Sequence, residues 1–173
     1  MAEITLKSLA HSYTDTPSGP EDYAIRQMDH VWHKGGAYAL LGPSGCGKST
    51  MLNIISGLLQ PSEGDILFDG KRVNELSPRD RNIAQVFQFP VIYNTMTVYD
   101  NLAFPLRCRE FTKEKIEERV KAVSDTLNLS SFLNSPARKL TADQKQLISL
   151  GRGLVREDVA AVLMDEPLTV IDP

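Results

Sequence analysis

The sequence predicts an α/β protein, in which short apolar strands alternate with amphipathic helices. Three stretches indicate this class. AEITLKSLAHSY near the N-terminus alternates like a strand. KSTMLNIISGLL has apolar residues at positions 51, 52, 54, 55, 58 and 59, which is a helical spacing. The late apolar run VAAVLMDEP (159–167) predicts a buried strand that ends in two carboxylates.

The remaining elements follow from local patterns. AYALLG (37–42) is a short apolar run that ends in glycine, and it predicts a buried strand. A strand is also expected between the turn signals of PSEGDILFDGKRV (61–73), and another in NIAQVFQ (82–88). TVYDNLAF predicts a short helix, and a further helix follows Thr141. TKEKIEERVKAVSDTLNL predicts a helix whose apolar face consists of Ile116, Val120, Val123 and Leu127.

Composition excludes several classes of protein. The chain has 173 residues, enough for one domain with a core. The net charge is −3, whereas a general nucleic-acid binder carries an excess of basic residues, so no nucleic-acid partner is expected. No apolar run approaches the roughly 20 residues that span a bilayer, and the N-terminus lacks the apolar core of a signal peptide. Cys46 and Cys108 form no disulfide framework, which favours a reducing, cytosolic setting.

GPSGCGKST (42–50) fits the phosphate-binding pattern G-x-x-x-x-G-K-[ST] in full. Its glycines permit the unusual backbone angles and close approach by which N–H groups wrap a triphosphate. Lys48 is expected to contact the β- and γ-phosphates, and the Ser49 hydroxyl to bind Mg²⁺. An apolar run precedes the loop and a helix follows it, so the context favours a phosphate site over a simple glycine-rich turn. Cys46 is interpreted as a small filler of this loop.

Asp165 and Glu166 stand at the C-terminal end of the last predicted strand, the end at which α/β sheets bind ligands. Beside a phosphate loop, Asp165 is expected to join the Mg²⁺ shell and Glu166 to act as the general base that activates water. The alternative is a solvated strand end that carries two acids.

In order along the chain, these motifs resemble the ATP-binding subunit of an ABC transporter, and the resemblance covers nearly all the sequence. GPSGCGKST is similar to the Walker A loop, VFQ to the Q-loop, LTADQ to the signature motif LSGGQ, AVLMDEP to Walker B and TVID to the D-loop. The resemblance implies the ligands ATP and Mg²⁺, with Glu166 and Gln88 as catalytic residues. Ser49, Gln88 and Asp165 would be the metal ligands. The implied nucleotide-binding residues are Tyr13, Gly42, Pro43, Ser44, Gly45, Cys46, Gly47, Lys48, Ser49, Thr50, Thr141, Gln144 and Asp172. Tyr13 corresponds to the aromatic that stacks on adenine, and Tyr23 is the alternative.

The resemblance also implies a P-loop NTPase core of the RecA-like type, with an antiparallel β subdomain and a helical subdomain. Residues 1–88 and 155–173 would form the β subdomain and ATP-binding core, and residues 89–154 the helical subdomain. The implied partners are a second ATPase subunit and transmembrane permease subunits. The protein would then be cytoplasmic and peripheral to the inner face of the membrane. GPSGCGKST and DEPLTVID resemble most closely the ATPases of carbohydrate and polyol importers, although the sequence does not name the solute.

LTADQ (140–144) departs from the family pattern because Ala142 and Asp143 replace both glycines. Thr141 and Gln144 match a capping box, which stabilises a helix start. A carboxylate about 6 Å from a γ-phosphate would repel it by roughly 3 kcal/mol at an effective dielectric constant of ~20. We therefore expect a weakened signature motif and a different ATPase subunit as the natural partner. The alternative is that the backbone N–H groups still bind phosphate while Asp143 turns outward.

The sequence ends at Pro173, directly after the D-loop, where family members continue to a switch histidine and, in importers, to a regulatory domain. His11, His30 and His33 all precede the phosphate loop, and none occupies the switch position. We therefore expect a C-terminally truncated chain that hydrolyses ATP slowly. Three other functions are alternatives: a regulatory module that binds ATP with little hydrolysis, an ABC-type ATPase that acts on DNA or ribosomes, and a small-molecule kinase. The acidic charge balance disfavours the second, and Asp165 and Glu166 followed by a D-loop disfavour the third.

Overall fold

A computed structural model describes residues 1–168. The strands are β1 (Ile4–Ser12), β2 (Tyr23–Trp32), β3 (Glu63–Phe68), β4 (Lys71–Arg72), β5 (Ile83–Val86) and β6 (Ala161–Met164). The α-helices are α1 (Lys48–Ser56), α2 (Val98–Arg107), α3 (Lys113–Thr126) and α4 (Ala142–Leu154). The described residues divide into two units, residues 1–83 with 158–163 and residues 84–157 with 164–168. The subdomain boundaries expected at 88/89 and 154/155 stay a prediction.

An antiparallel sheet in the order β2-β1-β3-β4 dominates the first unit. Ile4 of β1 lies opposite Trp32 of β2 on one side and opposite Phe68 of β3 on the other. Helix α1 contributes Ile54 to the same apolar core, where it is fully buried. Because α1 begins at Lys48, this core fixes the helix whose N-terminus follows the phosphate loop.

Helices α2, α3 and α4 pack together in the second unit around a separate apolar core. The side chains of Leu102, Val120 and Ile148 are almost completely buried there. Gly151 of α4 faces Leu102, and a Cβ at Gly151 would lie 2.6 Å from a Leu102 methyl group. The glycine therefore allows α4 to pack closely against α2.

Strands β5 and β6 form a second, two-stranded sheet. The Ala160 N–H donates to the Asn82 carbonyl at 2.9 Å, and the Asp165 N–H donates to the Val86 carbonyl at 2.9 Å. Later residues of one segment thus pair with later residues of the other, so the strands run parallel. The sheet brings the carboxyl ends of β5 and β6 side by side.

The structure confirms β1, α1, β3, β5, α3 and α4 within a few residues of the expected positions and extends the short helix of TVYDNLAF to Val98–Arg107. The antiparallel sheet, the parallel pair and the helical layer confirm the α/β class. Three expectations need correction, and each of them concerns a strand.

The strand expected at AYALLG (37–42) is wrong. Within residues 1–168 this run belongs to no strand, and Leu41 is 90% exposed. A strand requires a neighbour that completes its hydrogen-bond ladder, and the apolar pattern reports only the side chains. The late run VAAVLMDEP (159–167) was expected to form a buried strand, but β6 covers only Ala161–Met164, where Leu163 is buried and Met164 is exposed.

Strand β2 was missed by the sequence analysis. Its sequence YAIRQMDHVW has no clean alternation, and Ile25 is its only buried residue. The strand forms because it pairs with β1, and a long-range contact of this kind is not visible in the local sequence pattern.

Among the described residues, no helix is long and apolar enough to cross a membrane.

Candidate functional site

The phosphate loop of residues 42–50 ends in the first turn of α1, as the motif predicts. Gly45 and Gly47 have positive φ angles of 80° and 89°, which favour glycine. Gly47 directly precedes α1, and a Cβ there would overlap the carbonyl oxygen of Ala24 in β2. The loop thus needs glycine at this position both for its backbone angle and for its close approach to a strand.

The Lys48 ammonium lies against the loop that precedes it. It donates hydrogen bonds to the carbonyls of Gly42 and Pro43, each at 2.9 Å, and lies 3.9 Å from the Cys46 sulfur. The positive charge is therefore held beside the loop backbone and at the positive end of the helix dipole. Both features attract a phosphate.

Tyr13 lies next to the phosphate loop. Its hydroxyl is 3.0 Å from the Thr50 hydroxyl in α1, and its ring is 67% exposed. The alternative aromatic, Tyr23, instead donates to Glu63 at 2.8 Å. The contacts thus favour Tyr13 as an exposed ring on which an adenine base could stack beside the loop.

Gln88 and Glu166 meet two residues beyond the ends of β5 and β6. The Gln88 amide nitrogen donates to a Glu166 carboxylate oxygen at 3.3 Å. Glu166 has a positive φ of 45°, which is uncommon for a residue with a side chain and is typical of functional sites. Two groups predicted to act on the same water are therefore brought together by the parallel strand pair.

Mg²⁺ fits the oxygen donors that the sequence analysis assigned to it. No group of three or more His, Cys, Asp or Glu residues within the described part of the chain could hold a metal by itself. Mg²⁺ in nucleotide sites typically uses one or two carboxylates together with substrate phosphates and water. In the second unit, exposed Gln88 and half-buried Asp165 carry such oxygens, and in the first unit the Ser49 hydroxyl is exposed.

The N-terminus of α4 is closed by the predicted capping box. The Thr141 hydroxyl accepts from the Gln144 N–H at 3.3 Å, and the Gln144 side-chain oxygen accepts from the Thr141 N–H at 3.1 Å. Two N–H groups that could bind a phosphate are thereby occupied within the chain. Asp143 is half-buried in the same turn.

Asp172, predicted to bind nucleotide as part of the D-loop, lies outside the described residues. Neither Gln146 nor the contacts of Arg152 were predicted from the sequence. The Arg152 guanidinium donates to the Val91 carbonyl and lies 4.5 Å from the Tyr93 ring centroid. A cleft of about 250 Å³ beside them is lined by residues that include Phe87, Pro105 and Arg152. The apolar residues around Pro90 and the resemblance of VFQ to the Q-loop are sequence signals for this surface.

Two curated relatives illustrate what the chain is similar to. It is 40% identical over 172 residues to the oligosaccharides import ATP-binding protein MsmX of Bacillus subtilis, covering 99% of this chain and 46% of the relative. It is 44% identical over 155 residues to the trehalose/maltose import ATP-binding protein MalK of Thermococcus litoralis, covering 86% of this chain and 41% of the relative. The chain thus spans less than half the length of these relatives.

A solved structure shares the fold. CbiO1 from Clostridium perfringens, part of the ABC transporter complex cbiONQ, superposes with a TM-score of 0.81 at 26% identity, covering 98% of this chain and 67% of that one. A family model described as ABC transporter matches residues 25–169. The chain therefore belongs to the ABC transporter family, whose ATP-binding domains bind and hydrolyse ATP.

Proposed function

We propose that this chain is the ATP-binding and ATP-hydrolysing part of an ABC importer for a carbohydrate or polyol. The observation that carries the proposal is the phosphate loop, which places left-handed glycines and the Lys48 ammonium at the start of α1. The importer and the solute class are supported by relatives whose names state oligosaccharide and trehalose/maltose import.

The proposed reaction is attack of water on the γ-phosphorus of ATP. Glu166 accepts a proton from this water as the new P–O bond forms, and the Gln88 amide orients the water and the carboxylate. The bond from the γ-phosphorus to the bridging oxygen breaks, which releases ADP and phosphate. Lys48 and the loop N–H groups hold the phosphates, and Tyr13 stacks on the base. Ser49, Gln88 and Asp165 would hold the Mg²⁺ that accompanies ATP, and the ion would neutralise phosphate charge.

A permease subunit is the proposed partner of the surface that follows Gln88. Phe89 is 72% exposed and Val91 53%, and Tyr93 is also exposed, so apolar side chains line the approach to the cleft beside Arg152. Exposed apolar groups close to one another favour a protein partner. Docking of a permease here would place the chain at the cytoplasmic face of a membrane, with Gln88 next to the docking surface.

A second candidate function is a regulatory or degenerate-site ATP-binding subunit with little hydrolysis of its own. The replacement of both signature glycines by Ala142 and Asp143 favours it, because Asp143 adds a negative charge to the turn that would face a phosphate. A second ATPase subunit of different sequence would then supply the working signature motif opposite this phosphate loop. If the chain is instead the ATP-hydrolysing subunit proposed first, a second copy of this chain supplies the signature motif.

Steady-state ATP hydrolysis by the full-length protein, with and without Glu166→Gln, tests the proposal. General acid–base groups contribute roughly 10²–10⁴-fold, so we expect Glu166→Gln to lower turnover by at least about 10²-fold. Glu114→Gln removes the same charge from exposed α3 and serves as the control.

Turnover that Glu166→Gln abolishes supports the first candidate. Tight ATP binding without turnover supports the regulatory candidate and a required partner subunit. Hydrolysis that persists in Glu166→Gln would contradict the assigned base.

A further inference from the structure

Gln146 is a fully buried polar residue in the second turn of α4. Its side-chain nitrogen donates to the Phe87 carbonyl at 3.2 Å and to the Pro167 carbonyl at 2.9 Å. Both N–H bonds of a single amide are thus used to join the segment after β5 to the segment after β6.

These two carbonyls flank the proposed catalytic pair. Phe87 directly precedes Gln88, and Pro167 directly follows Glu166. The Gln146 amide therefore bonds the backbone next to each of the two residues whose side chains are joined by the 3.3 Å hydrogen bond. One buried side chain contacts the backbone beside both groups.

The backbone of Glu166 requires support on both sides. Its φ of 45° is disfavoured for a residue with a Cβ, and such a conformation persists only where neighbouring contacts impose it. The Asp165 N–H bonds to the Val86 carbonyl at 2.9 Å before Glu166, and Gln146 bonds to the Pro167 carbonyl after it. The two hydrogen bonds hold the strained residue between them.

The side-chain oxygen of Gln146 is also buried, and it has no hydrogen-bond partner within residues 1–168. A buried acceptor left unsatisfied destabilises the fold, so the oxygen does not explain why an amide occupies this position. The side-chain nitrogen does, because it donates to the Phe87 and Pro167 carbonyls.

We propose that Gln146 is a positioning residue for ATP hydrolysis, which holds Gln88 and Glu166 at their working separation and ties both to α4. It acts through the two carbonyls and does not touch the nucleotide. Because α4 begins with the signature segment at Thr141, the same side chain couples the start of that helix to the water-activating groups. This inference rests on the function proposed above for Gln88 and Glu166.

Gln146→Met, made in the full-length protein together with any partner subunit needed for turnover, tests the role. Methionine has a similar length and no donor. We expect kcat to fall by at least about tenfold while the Kd for ATP stays within about twofold, since only positioning for the chemical step is lost. In a Gln88→Ala background the further loss should be smaller, because one of the two side chains that Gln146 positions is already absent.

Ile148→Val is the matched control, because it perturbs a fully buried side chain of α4 that forms no hydrogen bond to either strand end. A fall in kcat no larger than that of Ile148→Val would overturn the proposal. So would a parallel loss of kcat and ATP affinity, because general damage to the domain predicts that result.

Gln146→Glu keeps the inference testable where the methionine variant does not fold. Its carboxyl regains one donor only when protonated, so its kcat relative to wild type should rise as the pH falls. A ratio that does not change with pH would contradict the role of the donor. Wild-type turnover that Glu166→Gln abolishes tests the proposed function separately, so an unaffected Gln146 variant would overturn the positioning role alone.

Discussion

Asp143 is the second residue of α4, where its carboxylate and the capping box both stabilise the helix start. The same charge opposes binding of a phosphate at this turn. A separation of about 6 Å gives a repulsion of roughly 3 kcal/mol before Mg²⁺ and solvent reduce it. At the scale of single residues, helix stability and phosphate binding thus make opposite demands on positions 142 and 143.

We therefore expect the double substitution Ala142→Gly and Asp143→Gly to raise the ATP turnover of the full-length protein by about tenfold, with a loss of roughly 1–2 kcal/mol in unfolding free energy. The carboxylate is removed and the backbone gains freedom, while Thr141 and Gln144 are retained. Steady-state hydrolysis and urea denaturation measure the two effects.

Glu114→Gly is the matched control. Glu114 is likewise the second residue of a helix that starts with a threonine cap, and it is exposed. It should lose stability without a gain in turnover. Unchanged turnover in the double variant would favour the alternative in which Asp143 turns outward and the signature motif is intact.

At the scale of elements, α1 depends on a buried arginine at its C-terminus. The Arg81 guanidinium donates to the Ile54 carbonyl at 2.7 Å and to the Ile55 carbonyl at 3.0 Å. It also donates to the carbonyls of Asn74 and Leu76, and burial lowers its pKa. These bonds satisfy carbonyls that the end of a helix leaves without partners. The helix that begins with Lys48 is thereby fixed at its far end.

Arg81→Met should lower the free energy of unfolding by roughly 3 kcal/mol, because several buried carbonyls lose their donor at once. Urea denaturation monitored by the Trp32 fluorescence provides the measurement. Arg72→Met is the control, because its ion pairs with Asp65 and Glu75 are half exposed and such pairs contribute little. Equal losses in the two variants would show that the helix end does not depend on Arg81.

At the scale of the whole molecule, stability should depend on pH through His11. This side chain is buried, with one ring nitrogen 3.2 Å from the Ser62 hydroxyl and its ring edge-on to Tyr13. Burial lowers its pKa from the ordinary value of 6.5, so the unfolded chain binds a proton more readily than the folded one. Its contribution to stability is complete above pH 6.5 and declines as the pH falls from 6.5 towards the lower folded pKa.

We expect His11→Gln to flatten the pH dependence of the unfolding free energy between about pH 5 and 7. Denaturant titrations at a series of pH values measure this slope. His30→Gln, which changes an exposed histidine of β2, should leave the slope as in the wild type. A slope that His11→Gln does not change would assign the pH dependence to other groups.

The sequence by itself determined the features that depend on a few neighbouring residues. The phosphate loop, the capping box at Thr141 and the acidic pair beyond β6 lie where short-range spacing placed them, because glycine angles, helix caps and strand ends are local properties. The α/β class also follows from a local property, the spacing of apolar residues along strands and helices.

Only the tertiary structure decided what depends on distant partners. Strand β2 forms because β1 pairs with it, whereas AYALLG belongs to no strand in the described chain. Tyr13 rather than Tyr23 contacts the phosphate loop, and Gln146 reaches the backbone beside both Gln88 and Glu166. Hydrogen bonds of this kind join residues tens of positions apart, so a local sequence pattern does not predict which two groups will pair.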